Sequence, residues 1–145
     1  RVVEEGLLNG WVKELAGGKV TPEFRYGDSR LDFHLELADE QVLVEVKNVT
    51  LTDGANTALF PDAVTLRGQK HLRELQAARR DGYRSVIFFL VQRGEADAFA
   101  PADHIDPEYG RLLREAAVAG VEVLAYRSMV TRTDNRVGKR LPVVV

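Results

Sequence analysis

Leu31-Asp32-Phe33-His34-Leu35-Glu36-Leu37-Ala38-Asp39-Glu40-Gln41-Val42-Leu43-Val44-Glu45-Val46-Lys47 is the stretch that decides the fold. Leu31, Phe33, Leu35 and Leu37 alternate with Asp32, His34 and Glu36, and Val42, Val44 and Val46 alternate with Leu43, Glu45 and Lys47. Alternation with one apolar face is the signature of a half-buried strand. The link Ala38-Asp39-Glu40 is short enough for a hairpin turn. Thr21 to Tyr26, just upstream, reads as a weaker strand whose Pro22 marks an edge or a strand start. The three together predict an antiparallel meander.

Working outward, Val3, Leu7, Leu8, Trp11, Val12 and Leu15 recur at helical spacing and predict a helix over 2–16, weakened by Gly6 and Gly10 and ended by Gly17-Gly18. Residues 51–64 hold Asp53-Gly54, Asn56 and Pro61-Asp62 and read as a long polar loop of the kind that carries function. Thr65 can cap a helix running to Asp81, with Gly82 at its end. Val86 to Val91 is continuously apolar, as in a strand buried on both faces. Asp106-Pro107 is a cap followed by proline at the first helical position, opening a helix that stops at Gly120. Strands follow at 121–126 and 136–145. Strand-helix-strand alternation after the meander implies right-handed parallel crossovers. The expectation is a single α/β domain, residues 1–145, with a mixed sheet flanked by helices.

Composition bounds the function. The 145 residues are 45% hydrophobic and 29% charged, a globular balance rather than a disordered one. With 20 Lys plus Arg against 22 Asp plus Glu, the net charge of -2 excludes a globally polycationic nucleic-acid binder but not a local basic face. The absence of cysteine removes disulfides, thiolate nucleophiles and Cys-ligated zinc, and agrees with the cytoplasm. No apolar run is long enough to span a bilayer. A chain that starts at Arg1, without Met and directly in an amphipathic pattern, reads as a piece of something longer.

Strand parity points to the chemistry. Glu45 and Lys47 are two residues apart and project from one face of their strand. In a hairpin Asp32 can lie beside them. Two carboxylates and a lysine suit a hard divalent cation, Mg²⁺ or Mn²⁺, and a water to be activated. An ordinary solvated strand face would carry the same residue types, but here the polar pair interrupts a stretch that would otherwise be wholly buried. On the following helix Lys70, Arg73 and Arg80 fall opposite Leu72, Leu75 and Ala78, with Arg67 on their shoulder. This face suits a phosphate backbone, or is simply a solvated surface. His71, near the apolar edge, reads either as a satisfied core histidine or as a phosphate contact. Asp106 is read as a cap and Trp11 as core. No two histidines have metal-site spacing, and there is no nucleophile elbow, Walker loop or dinucleotide fingerprint.

Asp28-Ser29-Arg30-Leu31-Asp32-Phe33, Val44-Glu45-Val46-Lys47-Asn48-Val49-Thr50-Leu51, Phe60-Pro61-Asp62-Ala63-Val64-Thr65 and Arg67-Gly68-Gln69-Lys70-His71-Leu72-Arg73-Glu74-Leu75 resemble the sugar fermentation stimulation protein family (SfsA). So do His104-Ile105-Asp106 and Gly120-Val121-Glu122-Val123-Leu124-Ala125-Tyr126, in order along nearly the whole chain. The resemblance implies a C-terminal domain with a restriction-endonuclease-like fold of the PD-(D/E)xK type. Asp32, Glu45 and Lys47 then fall on the two acid positions and the lysine. It also implies a further acid from the first helix, Glu4 or Glu5, and an N-terminal OB-like domain that this chain lacks. The family is described as DNA-binding and linked to the use of sugars such as maltose.

Two functions follow as expectations. The first is a metal-dependent nuclease in which Asp32 and Glu45 hold Mg²⁺ or Mn²⁺ and Lys47 positions the water. Arg67, Lys70 and Arg73, with His71 as a weaker candidate, would meet the DNA backbone, RNA not being excluded. The second is a non-catalytic DNA-binding regulator of sugar genes built on a nuclease scaffold. A non-catalytic interaction module is a third.

Overall fold

The structure is a computed structural model that describes residues 2–130 and 135–145; Arg1, where the reading of a truncated start falls, lies outside them. Strands β1 (Lys19–Tyr26), β2 (Ser29–Leu37) and β3 (Glu40–Val49) form the expected meander. β6 (Arg84–Val91) and β8 (Glu122–Val130) add to it in parallel, and β9 (Asn135–Leu141) closes the sheet antiparallel. The order is β1-β2-β3-β6-β8-β9. The helices are α1 (Val2–Leu8), α2 (Leu66–Arg80) and α3 (Pro107–Val118). The mixed sheet flanked by helices is the architecture expected from the pattern.

Two apolar cores lie on the two faces of this sheet. Leu43, Ile87, Phe89 and Val91 pack with Leu72, Leu75, Leu112 and Leu113 of α2 and α3. Val42, Val44, Val86, Phe88 and Leu90 pack with Val3 and Leu7 of α1. β6 feeds both cores with alternate side chains, so it reads as an unbroken apolar run rather than an alternating one.

Three departures from the expected elements have physical causes. The helix read over 2–16 ends at Leu8, because Gly10 takes the left-handed conformation at φ +71°. There Trp11 N donates to Gly6 O at 2.8 Å and Gly10 N to Leu7 O at 3.4 Å, the paired bonds of a Schellman cap. Val12 and Leu15 still reach the core from beyond it, Leu15 through a 3₁₀ turn at Lys13–Leu15, so the apolar periodicity outlasts the helix. Gly6 is a packing residue, since a Cβ there would stand 2.8 Å from Val137 of β9.

Second, the presumed loop over 51–64 contains β4 (Leu51–Thr52) and β5 (Thr57–Phe60). With β7 (Ala98–Pro101) they form a small sheet of order β4-β5-β7. Strands of two and four residues are too short for alternation to declare itself. Third, Trp11 is half-buried rather than core, with the Arg136 guanidinium 4.5 Å above its ring.

Asp106 does more than cap α3. Its carboxylate accepts from Tyr109 N at 3.0 Å, from Thr65 N at 3.0 Å and from Gln69 Nε2 at 3.1 Å, tying the N-terminal ends of α2 and α3 together. Burial works against the charge, but these donors outweigh it and hold the carboxyl below its ordinary range. A depressed carboxyl contributes stability that is present above the unfolded value near 4 and is lost as pH falls through the folded one. Asp106→Ala should therefore cost about 2–3 kcal/mol in urea unfolding at pH 7. The gap between wild type and variant should close as the pH is lowered below about 4.

Candidate metal and phosphate site

The hairpin register pairs Phe33 with Val44, which would bring Asp32 opposite Glu45, but the paired ladder stops at Phe33. From there the two carboxylates take over as acceptors. Asp32 N donates to Glu45 Oε1 at 3.1 Å, and Val46 N donates to Asp32 Oδ2 at 2.8 Å. The switch reverses the alternation of β2. Leu31 packs in the α2 and α3 core while Phe33 and Leu35 pack on the α1 side, so the single apolar face expected for this strand breaks at Asp32. On β3 the expected parity holds, with Leu43 on the α2 side and Val42 and Val44 on the other.

Glu45 is only 4% exposed and faces a compact polar group. Its Oε2 lies 3.4 Å from Lys47 Nζ and 3.0 Å from His71 Nδ1, and that same ring nitrogen is 2.9 Å from Lys47 Nζ. His71 comes from the inner face of α2, which Thr65 caps by accepting from Gly68 N at 2.9 Å. Asp32 also lines a groove of about 410 Å³ with Val2, Val3, Val46, Asn48 and Gln92, while its carboxyl stays close enough to Glu45 for the two to interact directly. A larger cavity of about 530 Å³ lies at the far end of the sheet, around Asp39, Arg79 and Glu122, and contains none of these groups.

The two carboxyls are driven apart electrostatically. Burial and the neighbouring Glu45 charge push Asp32 up from its ordinary value. Burial pushes Glu45 up as well, but the hydrogen bond from His71 and the Lys47 charge outweigh it and hold Glu45 low. Of the two, Asp32 is the acid that takes up a proton more readily. Two carboxyls with opposed environments are a recurring mark of working sites.

The expected residues divide into those the structure gathers and those it does not. Asp32, Glu45 and Lys47 come together. Glu4 and Glu5 sit on α1, whose Val2 and Val3 line the groove. Among the described residues no three acidic or histidine side chains are grouped to hold a metal, so neither glutamate joins Asp32 and Glu45 in such a set. Arg67 and Lys70 are exposed, and no carboxylate pairs with either among the described residues. Arg73 is exposed but lies 3.5 Å from Glu108. His71 is 3% exposed and turned inward, away from where a phosphate backbone could touch it. The carboxamides Asn48 and Gln92, 3.2 Å apart at the groove, escaped the sequence reading because a strand-end amide has no motif. No helix among the described residues is long and apolar enough to cross a membrane.

The family profile described as "Sugar fermentation stimulation protein RE domain" (SfsA) matches residues 1–134. A sugar fermentation stimulation protein homolog from Syntrophotalea carbinolica is 62% identical over 143 residues, covering 99% of this chain and 62% of that protein. One from Geobacter sulfurreducens is 60% identical over 146 residues, with the same shares of 99% and 62%. Among solved structures, the one described as Pyrococcus furiosus SfsA in complex with Ca²⁺ is similar with a TM-score of 0.91 at 33% identity. The alignment with it covers 99% of this chain and 62% of that chain. The chain thus spans about 62% of the length of these relatives.

Without a cation the Asp32–Glu45 pair is a source of instability. Asp32→Asn keeps an oxygen to accept from Val46 N and removes one of the two interacting acids. The variant should be more stable than wild type at pH 7 by at most about 1 kcal/mol, since solvent screens the half-exposed Asp32, a rise of no more than some 2–5 °C in melting temperature measured in chelator. Because the raised Asp32 group takes up its proton as pH falls, the advantage should shrink toward acid.

Proposed function

The chain belongs to the sugar fermentation stimulation protein family, and from that membership and the geometry of its site we propose a divalent-cation-dependent nuclease domain. In this reading it binds DNA and hydrolyses the phosphodiester backbone at Asp32, Glu45 and Lys47. The observation that carries the reading is the close pair of half-buried Asp32 and buried Glu45, their proton affinities driven in opposite directions, with an ammonium 3.4 Å from a Glu45 oxygen. A pure binding surface for a polyanion gains nothing from two carboxylates at its centre, since they repel phosphate unless a cation lies between them.

The residues fit such a cation. The donors are hard carboxylate oxygens, which Mg²⁺ and Mn²⁺ favour, and Mg²⁺ is commonly held by one or two carboxylates with the remaining positions left to water and phosphate. An acid whose carboxyl is pushed upward by another acid is also one that a cation would restore to its charged form. The Ca²⁺ in the description of the Pyrococcus furiosus structure, a hard cation with the same oxygen preference, supports the same assignment. When bound, the cation would supply charge neutralisation at the phosphoryl group and a more acidic water.

The chain's own groups do the rest. Asp32 and Glu45 hold their carboxyls close enough to interact directly, as one cation between them requires. Lys47, on the same strand face as Glu45, directs its ammonium to hold the attacking water and to offset charge developing on the phosphoryl oxygens. Arg67 and Lys70 sit one to two turns ahead of the middle of α2, exposed, and provide phosphate contacts beside the site. Arg73 contributes less, because Glu108 competes for it.

The test is cleavage of single- and double-stranded DNA with Mn²⁺ or Mg²⁺, beside calorimetric titration of Mn²⁺. Wild type should bind Mn²⁺ and cut, Asp32→Asn should lose the binding, and Lys47→Ala should lose cleavage by about 10²–10⁴-fold. DNA binding that persists without any cleavage by wild type would replace this reading with the non-catalytic regulator. Arg67→Ala and Lys70→Ala should each weaken DNA binding across sequences and lower the salt slope by about 1. An unchanged slope would remove α2 from the interface.

A further inference from the structure

We propose that His71 is a positioning residue for this chemistry, setting the relation of Glu45 to Lys47 through its Nδ1 and making no contact with nucleic acid. The proposal deepens the nuclease reading and rests on it for its kinetic consequence, while its structural content stands on the geometry alone.

One ring nitrogen lies within hydrogen-bond distance of both charged partners, 3.0 Å from Glu45 Oε2 and 2.9 Å from Lys47 Nζ. In a neutral imidazole that nitrogen carries either a hydrogen or a lone pair. With the hydrogen it donates to Glu45; with the lone pair it accepts from Lys47. It serves one partner at a time, and in either state it fixes the place of an atom the reaction needs. When Glu45 Oε2 is occupied elsewhere, the ring is left to take a hydrogen from Lys47, whose remaining two are free for other acceptors. The direct Lys47–Glu45 approach of 3.4 Å is too long to be a strong hydrogen bond, so the ring is the tighter link between them.

The ring is held firmly enough to do this. It is buried in the middle of α2, whose first turn is fixed by the Thr65 cap and by the Asp106 bonds to Thr65 and Gln69. Leu72 and Leu75, on the same side of the helix, are fully buried in the core with Leu43 and Ile87. A side chain whose neighbours are locked by packing positions its partners more accurately than one on a loop. The reading also explains a placement that a phosphate-contact role does not, namely that His71 turns inward while Arg67 and Lys70 remain exposed. Groups that orient the residues around a cation are commonly worth 10–100-fold in affinity or rate.

The experiment compares His71→Phe, which keeps a ring without nitrogen, with His71→Asn, whose amide places a donor and an acceptor near the position of Nδ1. Both are first checked by thermal melting. His71→Phe should lower kcat roughly 10–100-fold with KM and DNA affinity within about twofold, and His71→Asn should recover most of the loss. Unchanged kcat, or a loss confined to KM and DNA affinity, would overturn the proposal and return His71 to the core or to the phosphate surface. A second readout needs neither metal nor activity. In ring-nitrogen NMR of the metal-free protein, the His71 Nδ1 signal should move on Lys47→Met and on Glu45→Gln, and a signal deaf to both would overturn it. If wild type does not cut DNA, the nuclease reading fails by itself. The positioning role then stands or falls on this signal and on a roughly tenfold weaker Mn²⁺ affinity in His71→Phe that His71→Asn restores.

Discussion

Buried carboxylates need donors, and in this chain the sheet supplies them by coming apart. Where the β2–β3 ladder ends at Phe33 and Val44, Asp32 and Glu45 accept the N–H groups of Val46 and Asp32. The exchange satisfies backbone donors that would otherwise be left without partners at the end of the ladder. It also ties both acids to the main chain. The consequences spread from there. Leu31 joins the α2 and α3 core, Asp32 lines the groove beside Val2 and Val3, and Glu45 packs with Lys47 and His71.

That arrangement links stability to chemistry through α2. The helix contributes Leu72 and Leu75 to the larger core, His71 to the polar group and Arg67 and Lys70 to the outer surface. Its first turn is tied to α3 by Asp106, whose carboxylate bonds both helix ends. A change that loosens the Asp106 clamp therefore shifts the His71 ring as well as weakening the fold.

Much of this was legible in the residues and some was not. The alternation of Val42, Val44 and Val46 with Leu43, Glu45 and Lys47 located β3 and the face of its polar pair, because a period of two is set by backbone geometry alone. Thr65 and Asp106 announced the helix starts, since a capping side chain acts on its own neighbours. What failed to show depended on contacts distant in sequence or on very short segments. The Schellman cap at Gly10 was hidden because Val12 and Leu15 keep the apolar rhythm past the end of α1. The strands at 51–52 and 57–60 were too brief for a period. His71 was placed correctly near the apolar edge of α2, but its two partners lie 26 and 24 positions away on a strand, and no helical wheel can reveal them.

The position of the site in the sheet gives the last step. β3 and β6 run parallel, and Glu45, Lys47, Asn48 and Gln92 lie toward or just past their carboxyl ends, where open α/β sheets generally place their ligands. α1 and α2 stand on opposite faces of that end, so the groove beside Asp32 and the exposed bases of α2 are separated by the edge of the sheet. A polyanion able to reach both must pass Asp32 and Glu45. With a net charge of -2 on the chain, attraction at that crossing is local and small unless the charge of the acids is offset. On the proposed reading, the geometry that would bring a phosphodiester to Lys47 would also make its binding depend on a cation held by Asp32 and Glu45.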